Sequence, residues 1–217
     1  MKTIIVTLAI GLLTQQIIPA QGTLYVSNLG QTSTGSYAVG SDSWYAAVFV
    51  TGTNVGGYLL DSVQLAMTDA AGNPSSFAVM IYSEKLPAIA ILPGSSLGIL
   101  DGSANPSTAD VYTYIPTSSM ILLPYTEYFI ALTAGTTVAN GAYDWSLAGA
   151  NLYNPTGDWS GSSGGVYTSS NGSSWIPIPA AYPQYAITAT PIPEPSPSWL
   201  ILLGSGVLLY VRRAFHR

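Results

Sequence analysis

Short apolar or alternating runs, separated by turn signals, make up most of the chain between residues 23 and 190. In residues 62–67, Val63, Leu65 and Met67 alternate with other residues, which is the period of a half-buried strand. Residues 77–82 are apolar almost throughout and predict a strand buried on both faces. Six further runs have strand character: residues 44–50, 111–114, 120–123, 128–133, 143–147 and 186–190. We find no convincing amphipathic helix among them.

Glycine, proline, asparagine and aspartate separate these runs, at residues 56–57, 71–74, 101–102, 140–141 and 171–172. The pair Asn171-Gly172 favours a two-residue hairpin turn between two flanking runs. Residues 151–176 are rich in glycine and serine, and we expect a long surface loop that leads into this hairpin. Strands and turns at this spacing predict one all-β domain over residues 23–190, an antiparallel β-sandwich or jelly-roll-like fold.

The N-terminus has the composition of a secretory signal peptide. Lys2 supplies the positive region, residues 4–13 form a short apolar region, and small residues follow near position 20. We expect a signal peptide over residues 1–22, cleaved after Gly22 or, alternatively, after Ala20. An uncleaved N-terminal anchor is disfavoured because the apolar region is short and Pro19 interrupts it.

The C-terminus has three consecutive parts: a linker at residues 191–198, an apolar run at residues 199–211 and a basic end. The linker contains Pro193, Glu194 and Pro195, and its prolines favour an extended spacer because they donate no backbone hydrogen bonds. A helix over the 13 apolar residues would rise only about 20 Å, short of the roughly 30 Å hydrocarbon core. By length alone, a buried core helix is the alternative.

The flanking residues favour the membrane. Trp199 and Tyr210 lie at the two ends of the apolar run, where amphipathic aromatic side chains prefer the headgroup region. Arg212, Arg213 and Arg217 place the C-terminus on the cytoplasmic side. A short span is tolerated at modest cost through local thinning of the bilayer. We therefore predict a single transmembrane helix and basic tail over residues 199–217.

The triplet Pro193-Glu194-Pro195, the apolar run and the pair Arg212-Arg213, in that order, resemble a PEP-CTERM sorting signal. The resemblance implies an exported protein that is held in the inner membrane of a Gram-negative bacterium before an exosortase processes it at the motif. It also implies an envelope that produces exopolysaccharide or biofilm, with extracellular polysaccharide as a partner and the cell surface as the destination.

The domain itself resembles the choice-anchor R family. The resemblance rests on residues that occur in this order: 26–30, 44–52, 60–65, 77–82, Pro93 with Leu97, Leu100 and Gly102, Tyr128-Phe129 and 143–145. It implies an exported domain that occurs with alternative surface-sorting tails, and it supplies no catalytic residues.

Charge and composition narrow the function further. The chain contains no cysteine, so neither a disulfide nor a thiolate contributes to the fold or to catalysis. Between residues 23 and 190, Lys85 is the single cation against nine acidic residues, a net charge of −8. Such a surface repels phosphate backbones, which excludes nucleic acid as a partner, and it also repels anionic lipid.

Enzyme chemistry has few candidates in this composition. The single histidine, His216, lies in the predicted cytoplasmic tail, which excludes histidine-based hydrolysis and histidine-ligated zinc in the exported part. A pair of carboxylates, Asp144 and Asp158, lies beside tryptophans and is the candidate for glycoside hydrolysis. The simpler interpretation is that both are strand-end and loop carboxylates. We expect no enzyme and no cofactor.

A calcium loop is suggested by Asp101, Ser103 and Asn105 at alternate positions. The pattern then fails, because Pro106 stands where the turn glycine belongs and Tyr112 stands where the bidentate glutamate belongs. We therefore expect a turn without a metal ion.

Carbohydrate binding would need exposed aromatic side chains. Trp44 and Trp145 lie within strand patterns and are predicted core residues. Trp159, Tyr167 and Trp175 lie in or beside the Gly/Ser segment and form the candidate ligand platform. The sequence thus favours a non-catalytic exported surface or matrix protein, with a carbohydrate-binding module as the alternative.

Overall fold

The computed structural model describes residues 22–86, 91–102, 104–150 and 154–194. Within these residues there are 14 β-strands and one short 3₁₀ helix, Val138–Asn140, and no α-helix. The strands are β1 Thr23–Ser27, β2 Ser33–Val39, β3 Trp44–Val50, β4 Tyr58–Gly72, β5 Ala78–Glu84, β6 Pro93–Gly102, β7 Asp110–Pro116, β8 Ile121–Leu122, β9 Glu127–Thr133, β10 Gly141–Ala148, β11 Asn154–Pro155, β12 Ser160–Ser169, β13 Ile176–Ile178 and β14 Tyr185–Pro191. The predicted signal and transmembrane helices lie outside the described residues.

The strands form one antiparallel sheet that curls around its own core. Its order is β11-β1-β14-β4-β7-β6-β5-β9-β3-β12-β13, while β10 joins β2 to β4, and β8 pairs with β4. Although β1 and β12 are separated by most of this order, they contact each other. The prediction of an all-β antiparallel fold with a sandwich-like core is confirmed.

The core follows the two-residue period of the strands. On β3, Ala47 and Phe49 point into the interior, whereas Ala46 and Val48 belong to a second apolar cluster on the outer face. The interior contains large, fully buried side chains, among them Trp145 and Tyr185. The prediction of a core position is confirmed for Trp145, whereas Trp44 is only partly buried and packs against the outer-face cluster.

The prediction of a long surface loop within residues 151–176 is wrong for much of its length. Its glycine- and serine-rich part forms β12, which pairs with β3 over a register shift between Gly161 and Val166. The hydrogen bonds between neighbouring strands are made by the backbone. A strand can therefore pair with a segment whose side chains show no strand pattern. The segment therefore extends the sheet.

The predicted hairpin at Asn171-Gly172 exists, but its turn differs. β12 and β13 pair from Val166–Ile178 to Thr168–Ile176, so the connection is longer than two residues. Side chains close it: Ser169 Oγ accepts a hydrogen bond from the backbone N–H of Gly172, and Asn171 Oδ1 accepts one from Ser173. A further predicted turn, Asp101-Gly102, is instead the end of β6.

Both ends of the domain leave the sheet on the same side. β1 and β14 are antiparallel neighbours, with Thr23 opposite Ala189, and Pro191 lies opposite Tyr58 at the start of β4. β3 ends on this side and β9 begins there, with Val50 opposite Glu127. We call this side of the molecule the exit end.

Candidate functional site

The C-terminal strand is fastened to the exit end by the loop between β3 and β4. The backbone N–H of Ile192 donates to the Gly57 carbonyl at 3.0 Å, and Asn54 Nδ2 donates to the Ile192 carbonyl at 3.1 Å. A Cβ at Gly56 would lie 2.5 Å from the Ile192 oxygen, so a glycine is required for this close approach. We call Asn54, Gly56 and Gly57 the exit clamp.

The described part of the predicted sorting motif follows the clamp directly. Pro193 and Glu194 are both exposed. The remaining predicted residues of the motif and anchor lie outside the described residues: Pro195, Trp199, Tyr210, Arg212 and Arg213. The part of the chain that the structure describes contains no helix that is long and apolar enough to cross a membrane.

The prediction that Trp159 is exposed is wrong. Its side chain is only 2 % exposed and belongs to the interior cluster. The indole stacks on Tyr25 at 4.5 Å and on Phe49 at 5.9 Å between ring centroids, and Tyr58 meets it edge-on at 4.9 Å. The Trp159 ring fills the interior space between these three aromatic side chains, so it contributes to the core.

Tyr167 and Trp175 are also buried, at 7 % and 8 % exposed, so their predicted exposure is wrong as well. Unlike Trp159, they lie together in the outer-face cluster, where Tyr167 meets Phe129 edge-on at 5.5 Å and Trp175 meets Tyr82 at 6.0 Å. The structure thus unites two of the three platform residues and separates the third. These two rings pack against the sheet and do not form an open platform.

A groove of about 410 Å³ lies beside the outer-face cluster at the exit end. Glu84, Lys85 and Ser173 line it, so it combines a carboxylate, the single cation of the domain and a hydroxyl. Ser173 belongs to the same hairpin loop as Trp175, which brings the groove close to that indole. The Nε1 atom of Trp175 is buried and has no hydrogen-bond partner among the described residues.

Glu127, at the start of β9, is a residue that the sequence analysis missed. Its Oε2 atom is buried without a hydrogen-bond partner among the described residues. Burial and then the nearby Glu84 carboxylate raise the pKa of Glu127 above its ordinary value. Burial and then the Glu127 carboxylate raise the pKa of Tyr167. The sequence shows only a glutamate next to an apolar run, and this pattern does not indicate that the carboxylate is buried or close to Glu84.

The candidate catalytic carboxylates are both engaged in local contacts. Ser36 Oγ donates to Asp144 Oδ1 at 2.9 Å, between β2 and β10. The backbone N–H of Thr53 donates to Asp158 Oδ2, and hydrogen bonds from Thr53 lower the pKa of Asp158. No contact among the described residues brings the two carboxylates together. Asp158 lies in a loop, as the simpler interpretation expects, whereas Asp144 lies in the middle of β10 and not at a strand end.

The candidate calcium loop lies beside a second cleft, of about 320 Å³, which Asp101, Asn105 and Tyr114 line. Ser103 lies outside the described residues. The Tyr114 hydroxyl is buried without a hydrogen-bond partner in the described chain, and burial raises its pKa. Across residues 22–86, 91–102, 104–150 and 154–194, no three His, Cys, Asp or Glu side chains are grouped to hold a metal ion.

Comparison with known proteins does not assign a function to these residues. No family model matches the chain, and no curated protein matches it either.

Proposed function

We propose that this chain is a non-catalytic exported protein of the cell surface or extracellular matrix, sorted by its C-terminal tail. An exosortase-type enzyme processes the tail at Pro193-Glu194-Pro195 while residues 199–211 hold the protein in the inner membrane. The observation that carries the proposal is the exposure of Pro193 and Glu194 immediately after the exit clamp. The domain is a β-sandwich of jelly-roll-like type.

A processing enzyme needs an accessible, extended segment with a fixed start. The clamp makes the last hydrogen bonds of the described body at Ile192. The prolines that follow lack the N–H that would let the segment pair with the sheet. Because β1 begins and β14 ends on the same side, the predicted signal peptide and the predicted tail present the same exit end to the membrane.

The proposed extracellular setting is supported by the net charge of the domain and by the resemblance to sorted proteins. A domain with a net charge of −8 and no histidine or cysteine carries few groups for transition-metal or nucleophilic chemistry. Its acceptor-rich surface suits a hydrated matrix of polysaccharide. The proposed partners are the processing enzyme, the inner membrane during sorting and extracellular polysaccharide afterwards, and no cofactor is needed.

The test is replacement of Pro193, Glu194 and Pro195 by alanine in the native host. The variant should accumulate as an unprocessed chain in the membrane fraction. Pro197→Ala is the matched control, since it alters the same linker outside the motif, and it should be processed normally. Release of the motif variant at the wild-type rate would contradict the proposal.

Polysaccharide binding in the groove lined by Glu84, Lys85 and Ser173 is a second candidate function. It is favoured by the neighbouring aromatic cluster and by the unpartnered Trp175 Nε1. Titration with polysaccharide should change tryptophan fluorescence, and Ser173→Ala with Glu84→Gln should weaken that response. A response that is identical in this double variant would exclude the groove.

A further inference from the structure

Four exposed apolar side chains lie on two segments next to the point where the C-terminal strand leaves the domain. Val55 is 76 % exposed, Ile121 55 %, Leu123 59 % and Tyr125 72 %. We call these four residues the exit patch. Single exposed apolar residues are ordinary, but a group of them on adjoining loops marks a contact surface.

The two segments that carry the exit patch, residues 51–57 and residues 121–125, are hydrogen-bonded to each other. The backbone N–H of Tyr125 donates to the Gly52 carbonyl at 3.0 Å, and Thr51 Oγ1 donates to the Leu123 carbonyl at 2.6 Å. Tyr125 has a φ of 50°, which is uncommon for a residue other than glycine, so the turn presents this ring at a cost in backbone energy. The patch is therefore a defined surface on the sheet.

The exit clamp joins this surface to the departing chain. Gly57 accepts the hydrogen bond from Ile192 and lies against the carbonyl of Leu122. Leu122 is the residue between Ile121 and Leu123, which both belong to the exit patch. Residues 193–198 separate Ile192 from the predicted membrane segment. Six extended residues reach at most about 20 Å. The tether therefore keeps the exit patch close to any membrane that holds residues 199–211.

We propose that the exit patch rests on the lipid surface and inserts its side chains at the boundary between headgroups and acyl chains. This inference depends on the proposed membrane tail. Tyrosine is suited to that boundary because its ring is apolar and its hydroxyl is polar. The contact holds the exported domain against the bilayer and places Pro193 and Glu194 at the membrane surface, where a membrane-embedded enzyme works.

Charge selects the kind of lipid. Glu84, Asp158 and Lys85 lie at the same end as the patch, and the exposed Glu194 follows it, so the charge around the patch is net negative. An acidic surface is repelled by anionic headgroups, so the contact is made with zwitterionic lipid. A second copy of the chain is a poorer occupant, since the two domains, residues 23–190, would each carry a net charge of −8.

The absence of cysteine in the chain makes the test direct. Val55→Cys and Tyr125→Cys are labelled with an environment-sensitive fluorophore in the full chain, reconstituted into phosphatidylcholine vesicles. Ser107→Cys is the matched control, because this exposed residue precedes β7 on the side opposite the exit end. Headgroup-linked nitroxide should quench both patch labels several-fold more than the control, and phosphatidylglycerol should reduce that difference.

Alkaline extraction of the same vesicles separates this inference from the proposal on which it rests. If the chain resists extraction but the patch labels are quenched no more than the control, the lipid contact is wrong and the tail proposal stands. If the chain is extracted, the tail proposal fails and takes this inference with it. If the patch labels are shielded from aqueous quencher but untouched by the lipid quencher, a protein covers the patch and the inference is overturned.

Discussion

The substitution Trp159→Ala tests whether the indole of Trp159 stabilises the fold or is available to bind a ligand. The side chain is 2 % exposed, stacks on two rings and meets a third edge-on. Truncating a buried tryptophan costs about 3–5 kcal/mol because it removes transfer energy and leaves a cavity. Aromatic pairs add about 0.5–1.5 kcal/mol each beyond their buried area. We expect the upper part of the truncation range, a large share of the about 5–15 kcal/mol that stabilises a typical domain.

The assay is urea unfolding of the purified protein followed by far-ultraviolet circular dichroism, which reports strand content. Trp159→Phe should cost less than Trp159→Ala, because it keeps most of the stack and removes an N–H that has no partner among the described residues. Tyr125→Ala is the control for loss of an aromatic ring, and at 72 % exposure it should change the free energy of unfolding by no more than about 0.5 kcal/mol. The reasoning is refuted if Trp159→Ala unfolds within about 1 kcal/mol of the wild type.

Two further substitutions test the exit clamp and the buried carboxylate. Gly57 and Gly157 both have left-handed φ, of 77° and 68°, but a Cβ at Gly57 would lie 2.7 Å from the Leu122 oxygen, whereas one at Gly157 would meet nothing within 4 Å. Gly57→Ala should therefore lower the free energy of unfolding by about 1–3 kcal/mol more than Gly157→Ala, and equal losses would contradict the close packing of this clamp residue against Leu122. Because the pKa of Glu127 is raised in the folded state, its stabilising contribution is complete below the unfolded pKa of about 4.3 and is lost as pH rises through the folded value. Glu127→Gln should flatten that decline in urea titrations between about pH 4 and about pH 8, and an unchanged pH profile would contradict the buried environment.

Strand positions were predictable where side chains alternate or form apolar runs. Residues 44–50 were predicted with the bounds that β3 has, since every second residue there packs into the interior. Most of β12, up to the flank of the predicted hairpin, was missed because its pairing with β3 depends on a distant partner strand, which local composition cannot reveal. β2, with its serines and glycine, was missed for the same reason, since it pairs only with β10 in the described chain.

The candidate site was predicted unevenly. Glycine and serine around Trp159 indicated a surface loop, but burial is decided by what folds over a residue, and Tyr25 and Phe49 come from distant parts of the chain. The exit clamp was visible only as the turn signal Gly56-Gly57, because its partner Ile192 lies far along the sequence. The proximity of Glu84 to Glu127 likewise follows from the pairing of β5 with β9.

The sorting proposal is tested most directly by intact-mass spectrometry of the mature protein from its native host. The account predicts a chain that begins near Thr23 and ends within Pro193-Glu194-Pro195, with or without a group attached at the new C-terminus. A full-length chain that still ends at Arg217 and is found dissolved outside the cell would contradict it.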